Sequence, residues 1–213
     1  MKRSRIVIAD DHEVVVEGLR RILDRRKFEV VGVANDGRAL VQTAQKLRPD
    51  VIITDVAMPR LNGIDAAREI HSRNPNLKII FLTMHPEVAY ARAALAAGAA
   101  GYVLKSAAGE ELIDAIGAAL NGRIYISKSI AKSVKDAREI RSTNGHDAVD
   151  LLTHRQREIL QQLAEGRQVK EIAAGLKLSP KTVEFHKYRI MNLLNLRTVA
   201  DLARYAQRRG IVE

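Results

Sequence analysis

Val51-Ile52-Ile53-Thr54-Asp55 is a run of β-branched residues that ends directly on a carboxylate. Four further runs of short apolar sequence lie in the first half of the chain, with starts 21 to 28 residues apart, and they begin at Ile6, Val30, Ile79 and Tyr102. The stretches between them carry apolar residues at helical spacing. Because strands that are apolar throughout are buried on both faces, this pattern predicts a parallel sheet between two helix layers. We therefore expect residues 1–121 to form a doubly wound α/β domain with a five-stranded parallel sheet.

The pattern changes after residue 121. We expect residues 122–149 to form a linker with one amphipathic helix over Ser127 to Arg138, although Arg123 to Ile126 could instead extend the first domain. The segment from residue 141 is rich in turn-forming residues, which favours an exposed linker there. Residues 150–213 contain only helical signals. Within them Ser179 and Pro180 suit an N-cap and a first helical position, so a longer helix begins there after a shorter helix and a turn. This spacing predicts a small all-α domain with a helix-turn-helix.

Composition limits the functions that the chain can have. The 213 residues include no cysteine, which excludes a disulfide scaffold, a thiol nucleophile and a Cys-ligated metal. The formal charge of +10 indicates a polyanionic partner, and half of this excess, +5, falls on residues 150–213. The apolar stretches are too short for a signal-peptide core or a membrane-spanning helix. We therefore expect a cytoplasmic protein with no membrane partner.

Polar side chains follow four of the five predicted strands. They are Asp10 and Asp11, Asp55, Thr83 and Lys105. Since ligands of a parallel sheet bind beyond the carboxyl ends of its strands, we expect these side chains to converge. Three crowded carboxylates need a cation, and an all-oxygen ligand set selects a hard ion such as Mg²⁺, while the lysine and the threonine suit an anion. A single acid at a strand end is more often a loop residue or a helix cap, but that interpretation explains the joint placement poorly.

These residues, within the segments TDVAMPRLNG, FLTMH and GYVLK, resemble the receiver domain of bacterial two-component response regulators over residues 3–121. The resemblance implies a flavodoxin-like fold in which Asp55 attacks the phosphohistidine of a sensor histidine kinase and becomes an acyl phosphate. It also implies that Mg²⁺ is held by Asp10 or Asp11, by Asp55 and by the backbone carbonyl of Ala57.

The resemblance assigns roles to three further residues of the first domain. Lys105 would pair with the phosphoryl oxygens, and Thr83 would move to hydrogen-bond one of them. Tyr102 matches the aromatic switch residue that turns inward when the threonine moves. Without the resemblance, a half-buried strand tyrosine is nearly as good an interpretation of Tyr102.

The second domain, with the segments LTHRQREILQQLAEG and LSPKTVEFHKYRI, resembles the LuxR-type helix-turn-helix of the NarL/FixJ regulators over residues 151–210. The resemblance implies that the helix from Pro180 enters the major groove of double-stranded DNA, with Glu184, Phe185 and Tyr188 at base-reading positions. Glu184 stands where many members carry lysine, and a glutamate can accept a hydrogen bond from cytosine N4. The candidate phosphate contacts are Lys170, Lys181, Thr182, Lys187 and Arg189. The candidate dimer contacts, on the helix that follows, are Val199, Leu202, Ala203 and Ala206.

The combined prediction is a phosphorylation-controlled transcriptional regulator that forms a homodimer when phosphorylated and is not an enzyme, apart from catalysing its own phosphorylation and dephosphorylation. Two alternatives remain. Asp55 could be the nucleophile of a phosphatase or phosphotransferase for small molecules, although Val56 and Ala57 follow it where such enzymes place a second acid. The first domain could instead bind proteins without being phosphorylated, although the complete set of acids, Thr83 and Lys105 disfavours this.

Overall fold

A computed structural model describes residues 3–24, 28–140 and 152–212, which form two compact units. The first unit is built on a parallel six-stranded sheet with the order β2-β1-β3-β4-β5-β6. The strands are β1 Ser4–Ala9, β2 Phe28–Ala34, β3 Val51–Thr54, β4 Lys78–Thr83, β5 Gly101–Leu104 and β6 Tyr125–Ile126. The expected doubly wound α/β fold is confirmed.

Helices cover both faces of this sheet. They are α1 Glu13–Asp24, α2 Gly37–Leu47, α3 Gly63–Arg73, α4 Val88–Ala96, α5 Ala108–Leu120 and α6 Lys128–Ile140. One apolar cluster packs Val7 and Ile52 against α2, α3 and α4, and a second packs Ile8 and Ile53 against α1 and α5. Successive strand residues thus face opposite helix layers, and this is why the strands are apolar throughout.

The sheet contains one strand more than predicted. β6 pairs with β5, so that Gly101 lies opposite Tyr125 and Tyr102 opposite Ile126. A two-residue strand whose side chains are half-buried leaves no apolar run in the sequence, so the sequence does not predict a sixth strand here.

The predicted amphipathic helix corresponds to α6, which packs against α4 of the first unit. Its buried side chains Ile130 and Val134 join the apolar cluster that includes α4. Residues 141–149 of the expected linker lie outside the described residues.

Strand order fixes where the polar strand ends meet. From β1 the chain passes outward to β2 and then crosses to the other side of β1 to form β3, so the order reverses between β1 and β3. Crevices at such reversals, beyond the carboxyl ends of the strands, are the usual ligand sites of open α/β sheets. Asp10 follows β1 and Asp55 follows β3, which puts both acids at this crevice.

The second unit consists of helices around one small core. They are α7 His154–Ala164, α8 Val169–Leu176, α9 Pro180–Leu193 and α10 Val199–Arg208. The Ser179 hydroxyl accepts a hydrogen bond from the Thr182 amide at 3.0 Å, and Pro180 occupies the first position of α9, as the sequence predicts. Lys177 adopts a left-handed conformation with a φ of 54°, which turns the chain between α8 and α9. Among the described helices, none is both long and apolar enough to cross a membrane.

Gly63 provides a test of how tightly α3 packs against the end of β3. A Cβ atom at this position would overlap the carbonyl oxygen of Asp55, whereas a Cβ at Gly117 in α5 would meet no heavy atom within 4 Å. We expect Gly63→Ala to lower the free energy of unfolding by about 1–3 kcal/mol. The matched control Gly117→Ala should be neutral or slightly stabilising, because alanine favours a helix interior. Urea unfolding of the full chain measures both, and equal midpoints for the two variants would contradict the expectation.

Candidate functional site

Two carboxylates share one ammonium group at the reversal point of the sheet. The Asp55 amide donates to the Ala9 carbonyl at 2.8 Å, which aligns the residue after β3 with the end of β1. Lys105 begins a short 3₁₀ turn directly after β5. Its Nζ atom lies 2.5 Å from Asp55 Oδ2 and 2.8 Å from Asp10 Oδ2. The structure therefore brings together three of the residues predicted from separate strand ends.

Burial affects the pKa values of Asp55 and Lys105 in this cluster. Asp10 and Asp55 are each only 4% exposed. Burial raises the pKa of Asp55, and the hydrogen bond and charge of Lys105 only partly oppose this effect. For Lys105, burial alone would lower the pKa, but hydrogen bonds and charges from Asp10 and Asp55 outweigh it and raise the pKa. Two carboxylates with one ammonium leave a negative charge in a buried pocket, and a cation would neutralise it.

The acidic pocket is compatible with a divalent metal ion. Asp10, His12 and Asp55 offer ligand atoms that lie within 4.8 Å of one another. Asp11 is placed differently, since its Oδ1 atom lies 3.0 Å from His12 Nδ1 and its side chain is 32% exposed. Ala57 lies half-buried in the loop after Asp55. The carboxylate oxygens of Asp10 and Asp55 are the donors that a hard cation prefers.

Thr83 and Tyr102 meet at the backbone of His85. Thr83 ends β4 and is fully buried, and its hydroxyl oxygen accepts a hydrogen bond from the His85 amide at 3.4 Å. The Tyr102 side chain is also fully buried, and its hydroxyl donates to the His85 carbonyl at 2.8 Å. The His85 ring stacks on Tyr90 of α4, with centroids 4.2 Å apart. Tyr102 thus points inward in this structure and connects the β4–α4 loop to β5.

In the second unit, α9 presents a charged and aromatic face. Glu184 is exposed, and Phe185 and Tyr188 are each 60% exposed although both are large aromatic side chains. The opposite face of α9 is buried in the core through Val183 and Ile190. The predicted phosphate-contacting side chains are all at least partly exposed, namely Lys170, Lys181, Thr182, Lys187 and Arg189.

Comparison with known families agrees with this two-part arrangement. Residues 6–117 match the response regulator receiver domain, and residues 150–206 match the bacterial regulatory proteins of the luxR family. The chain is a two-component response regulator of the NarL/FixJ family. Asp10, Asp55 and Lys105 all lie within the receiver match, and α9 lies within the luxR match.

Individual relatives match this response regulator over nearly its whole length. The transcriptional regulatory protein YxjL of Bacillus subtilis is 38% identical over 214 residues, which cover 99% of this chain and 98% of YxjL. The response regulator UvrY of Escherichia coli K12 is 35% identical, with 97% and 94% covered. A solved structure of RcsB from Salmonella enterica serovar Typhimurium, bound to a promoter in the presence of phosphomimetic BeF₃⁻, is 31% identical with a TM-score of 0.61, and covers 95% of this chain and 97% of that one.

Family membership excludes one of the two alternative functions that the sequence leaves open. The family consists of DNA-binding transcriptional regulators and not of metabolic enzymes, as predicted. A small-molecule phosphatase is therefore not the function of this response regulator.

The predicted dimer contacts need correction. Leu202 and Ala206 are fully buried in the core of the second unit, so these two side chains do not face a partner. The helical spacing of α10 shows which of its side chains share one face, but not which neighbour packs against that face. Here α7 of the same unit packs against α10. Val199 is 46% exposed and Ala203 is partly exposed, so both remain candidates.

Two residues near the site were not predicted from the sequence. His12 lies beside the acids because it is two residues after Asp10, and its ring Nδ1 is 3.1 Å from Asp10 Oδ1. His85 lies between Thr83 and Tyr102 through its backbone, so no side-chain pattern could have identified it. The position of His12 two residues after an acidic strand end was an available signal.

The raised pKa of Asp55 gives a pH-dependent prediction. The folded chain binds the proton of the Asp55 carboxyl group more tightly than the unfolded chain does. The free energy of unfolding therefore falls as the pH rises from 3.8, the ordinary pKa of an aspartate, through the raised pKa of Asp55. Asp55→Asn removes the free-energy cost of burying the ionised carboxylate. We therefore expect this variant to raise the free energy of unfolding at pH 7 by on the order of 1 kcal/mol. The gain should vanish near pH 4. Urea unfolding between pH 4 and pH 7, with the exposed Asp114→Asn as control, measures this, and a gain that is constant with pH would contradict it.

Proposed function

We propose that Asp55 of this response regulator accepts a phosphoryl group from the phosphohistidine of a sensor histidine kinase. The observation that carries the proposal is the buried contact of Asp55 with Lys105 and, through it, with Asp10. A carboxylate is a weak nucleophile, so transfer depends on positioning and on neutralising the charge of the phosphoryl oxygens. Lys105 supplies one positive charge within reach of those oxygens.

A second positive charge would come from Mg²⁺. The carboxylates of Asp10 and Asp55 would hold the ion, with Asp11 and the backbone carbonyl of Ala57 as further proposed ligands. When bound, the ion would neutralise charge on the phosphoryl oxygens. The negative charge that remains in the pocket after Lys105 has paired with both acids supports this assignment.

Phosphorylation would change the contacts of the residues around Asp55. A phosphoryl group adds about −1.5 to −2 charges and three acceptor oxygens. Lys105 would exchange its bond to the Asp55 carboxylate for a bond to a phosphoryl oxygen, and the Thr83 hydroxyl would donate to another. Tyr102, already turned inward onto His85, would be held in that position and act as the switch residue.

The second unit would carry this signal to DNA. We propose that α9 enters the major groove with Glu184, Phe185 and Tyr188 against the bases, while Lys170, Lys181, Thr182, Lys187 and Arg189 contact phosphates. The regulator would act as a homodimer when phosphorylated, since pairing two small modules doubles the number of phosphate and base contacts. Val199 and Ala203 are the proposed dimer contacts, and the proposed site of action is the cytoplasm. The promoter-bound RcsB structure supports this proposal by similarity.

Phosphate uptake tests the central step. Incubated with acetyl phosphate and Mg²⁺, the wild-type chain should take up one phosphoryl group, and Asp55→Asn should take up none. Lys105→Ala should reduce the rate by at least tenfold, because one of the two neutralising charges is lost. Phosphate-affinity electrophoresis and intact mass spectrometry provide the measurement, with Asp114→Asn as control. If the wild-type chain takes up no phosphate, the interpretation of the first unit as a binding module without phosphorylation is favoured instead.

Glu184 tests the DNA-binding surface. We expect Glu184→Ala to change the base preferred at one position of each half-site, because glutamate accepts from cytosine N4 and alanine cannot. Lys181→Ala, by contrast, should weaken binding to all sequences about equally and reduce the salt dependence. Selection from random DNA followed by affinity measurements separates the two effects. An unchanged preferred sequence for Glu184→Ala would exclude base reading by this residue.

A further inference from the structure

The first turn of α6 is tied to the end of β5 by buried polar contacts. The Ser127 amide donates to the Tyr102 carbonyl at 2.8 Å, and the Leu104 amide donates to the Ser127 hydroxyl oxygen at 3.2 Å. The Ser127 hydroxyl in turn donates to the Glu111 carboxylate of α5, whose other oxygen accepts from the Lys128 amide at 3.3 Å. Ser127 is fully buried and Glu111 is 6% exposed. We call the contacts of Ser127 and Glu111 with Leu104 and Lys128 the Ser127–Glu111 bracket.

The bracket adjoins the candidate phosphorylation site. Leu104 directly precedes Lys105, whose ammonium group contacts Asp55 and Asp10. A displacement of the Lys105 backbone therefore also displaces the Leu104 amide, which Ser127 holds. Since a buried amide that loses its acceptor is costly, a movement of Leu104 favours a matching movement of Ser127.

The other end of the bracket is the start of α6. The Ser127 carbonyl accepts hydrogen bonds from the Ile130 and Ala131 amides, so Ser127 forms part of the first turn of α6. Beyond this turn, Ile130 and Val134 are buried in the same apolar cluster as α4. The covalent chain passes through α6 on its way to the second unit. A shift of the first turn therefore shifts α6, the helix that precedes the second unit in the chain.

We propose that Ser127 and Glu111 are positioning residues that transmit the state of Asp55 to α6. The inference rests on the proposed phosphorylation of Asp55. When Lys105 exchanges the Asp55 carboxylate for a phosphoryl oxygen, the end of β5 moves, and the bracket carries the movement into the first turn of α6.

The chain offers closely matched controls for both residues. Ser129 and Glu110 are exposed neighbours of Ser127 and Glu111 and lie outside the bracket. The test compares Ser127→Ala with Ser129→Ala, and Glu111→Ala with Glu110→Ala, in the full chain. Each variant is treated with acetyl phosphate and Mg²⁺, phosphate uptake is measured by mass spectrometry, and amide hydrogen exchange is followed in peptides that cover α6.

We expect phosphorylation to change hydrogen exchange in the first turn of α6 in the wild-type chain and in both control variants. Ser127→Ala and Glu111→Ala should take up phosphate to the same extent, but the exchange response of α6 should fall about three- to tenfold. A purely structural role would alter exchange equally with and without phosphate, and would leave the response itself unchanged. That result overturns the inference.

Two further outcomes are distinguishable. If the wild-type chain takes up no phosphate, the proposed function fails and the inference fails with it. If the wild-type chain takes up phosphate and all four variants show the wild-type response of α6, the proposed function stands and only the bracket is refuted. Because Ser127 is fully buried, Ser127→Ala is checked by its thermal transition, and the Glu111→Ala pair decides the outcome if that variant does not fold.

Discussion

Two buried carboxylates that share one lysine are the constraint around which the first unit is organised. Asp10 and Asp55 lie on neighbouring strands at the edge where the strand order reverses, and Lys105 reaches both of them from β5. Burying a carboxylate costs free energy, and the raised pKa of Asp55 reflects chiefly this cost, with a smaller contribution from the charge of Asp10. The apolar sheet and its two helix layers offset the cost. The result is a fold that holds Asp55 in an electrostatically unfavourable environment.

Two sets of polar contacts connect the ends of β4 and β5 to neighbouring helices. On one side, Thr83 and Tyr102 meet at the backbone of His85, which stacks on α4. On the other side, the residue before Lys105 is bonded to Ser127 at the start of α6. Both routes end at α6, because α4 packs against this helix and Ser127 begins it.

Much of the site could be predicted because its residues follow apolar strands directly. Parallel strands bring their carboxyl ends to one edge, so Asp10, Asp55 and Lys105 could be grouped before any coordinates were known. The helix-turn-helix was equally predictable from the cap at Ser179 and the proline after it. Residues that act through their backbone, such as His85, or through a two-residue strand, such as β6, left no comparable pattern. The dimer contacts implied by the resemblance were wrong for Leu202, because an apolar helix face fits a core and an interface equally well.

The sequence by itself determined the fold class, the acidic edge of the sheet, the α9 helix with its exposed aromatic residues and the family to which the chain belongs. These features depend on periodicity, capping and strand-end chemistry, which are local in the chain. Only the tertiary structure decided that His12 lies with Asp10 and Asp55 in one cluster of possible ligand atoms, that α7 packs against the helix of Leu202 and Ala206, and that Ser127 and Glu111 join β5 to α6. These contacts join residues that are distant in sequence or compete for the same neighbours, so packing in three dimensions selects among them.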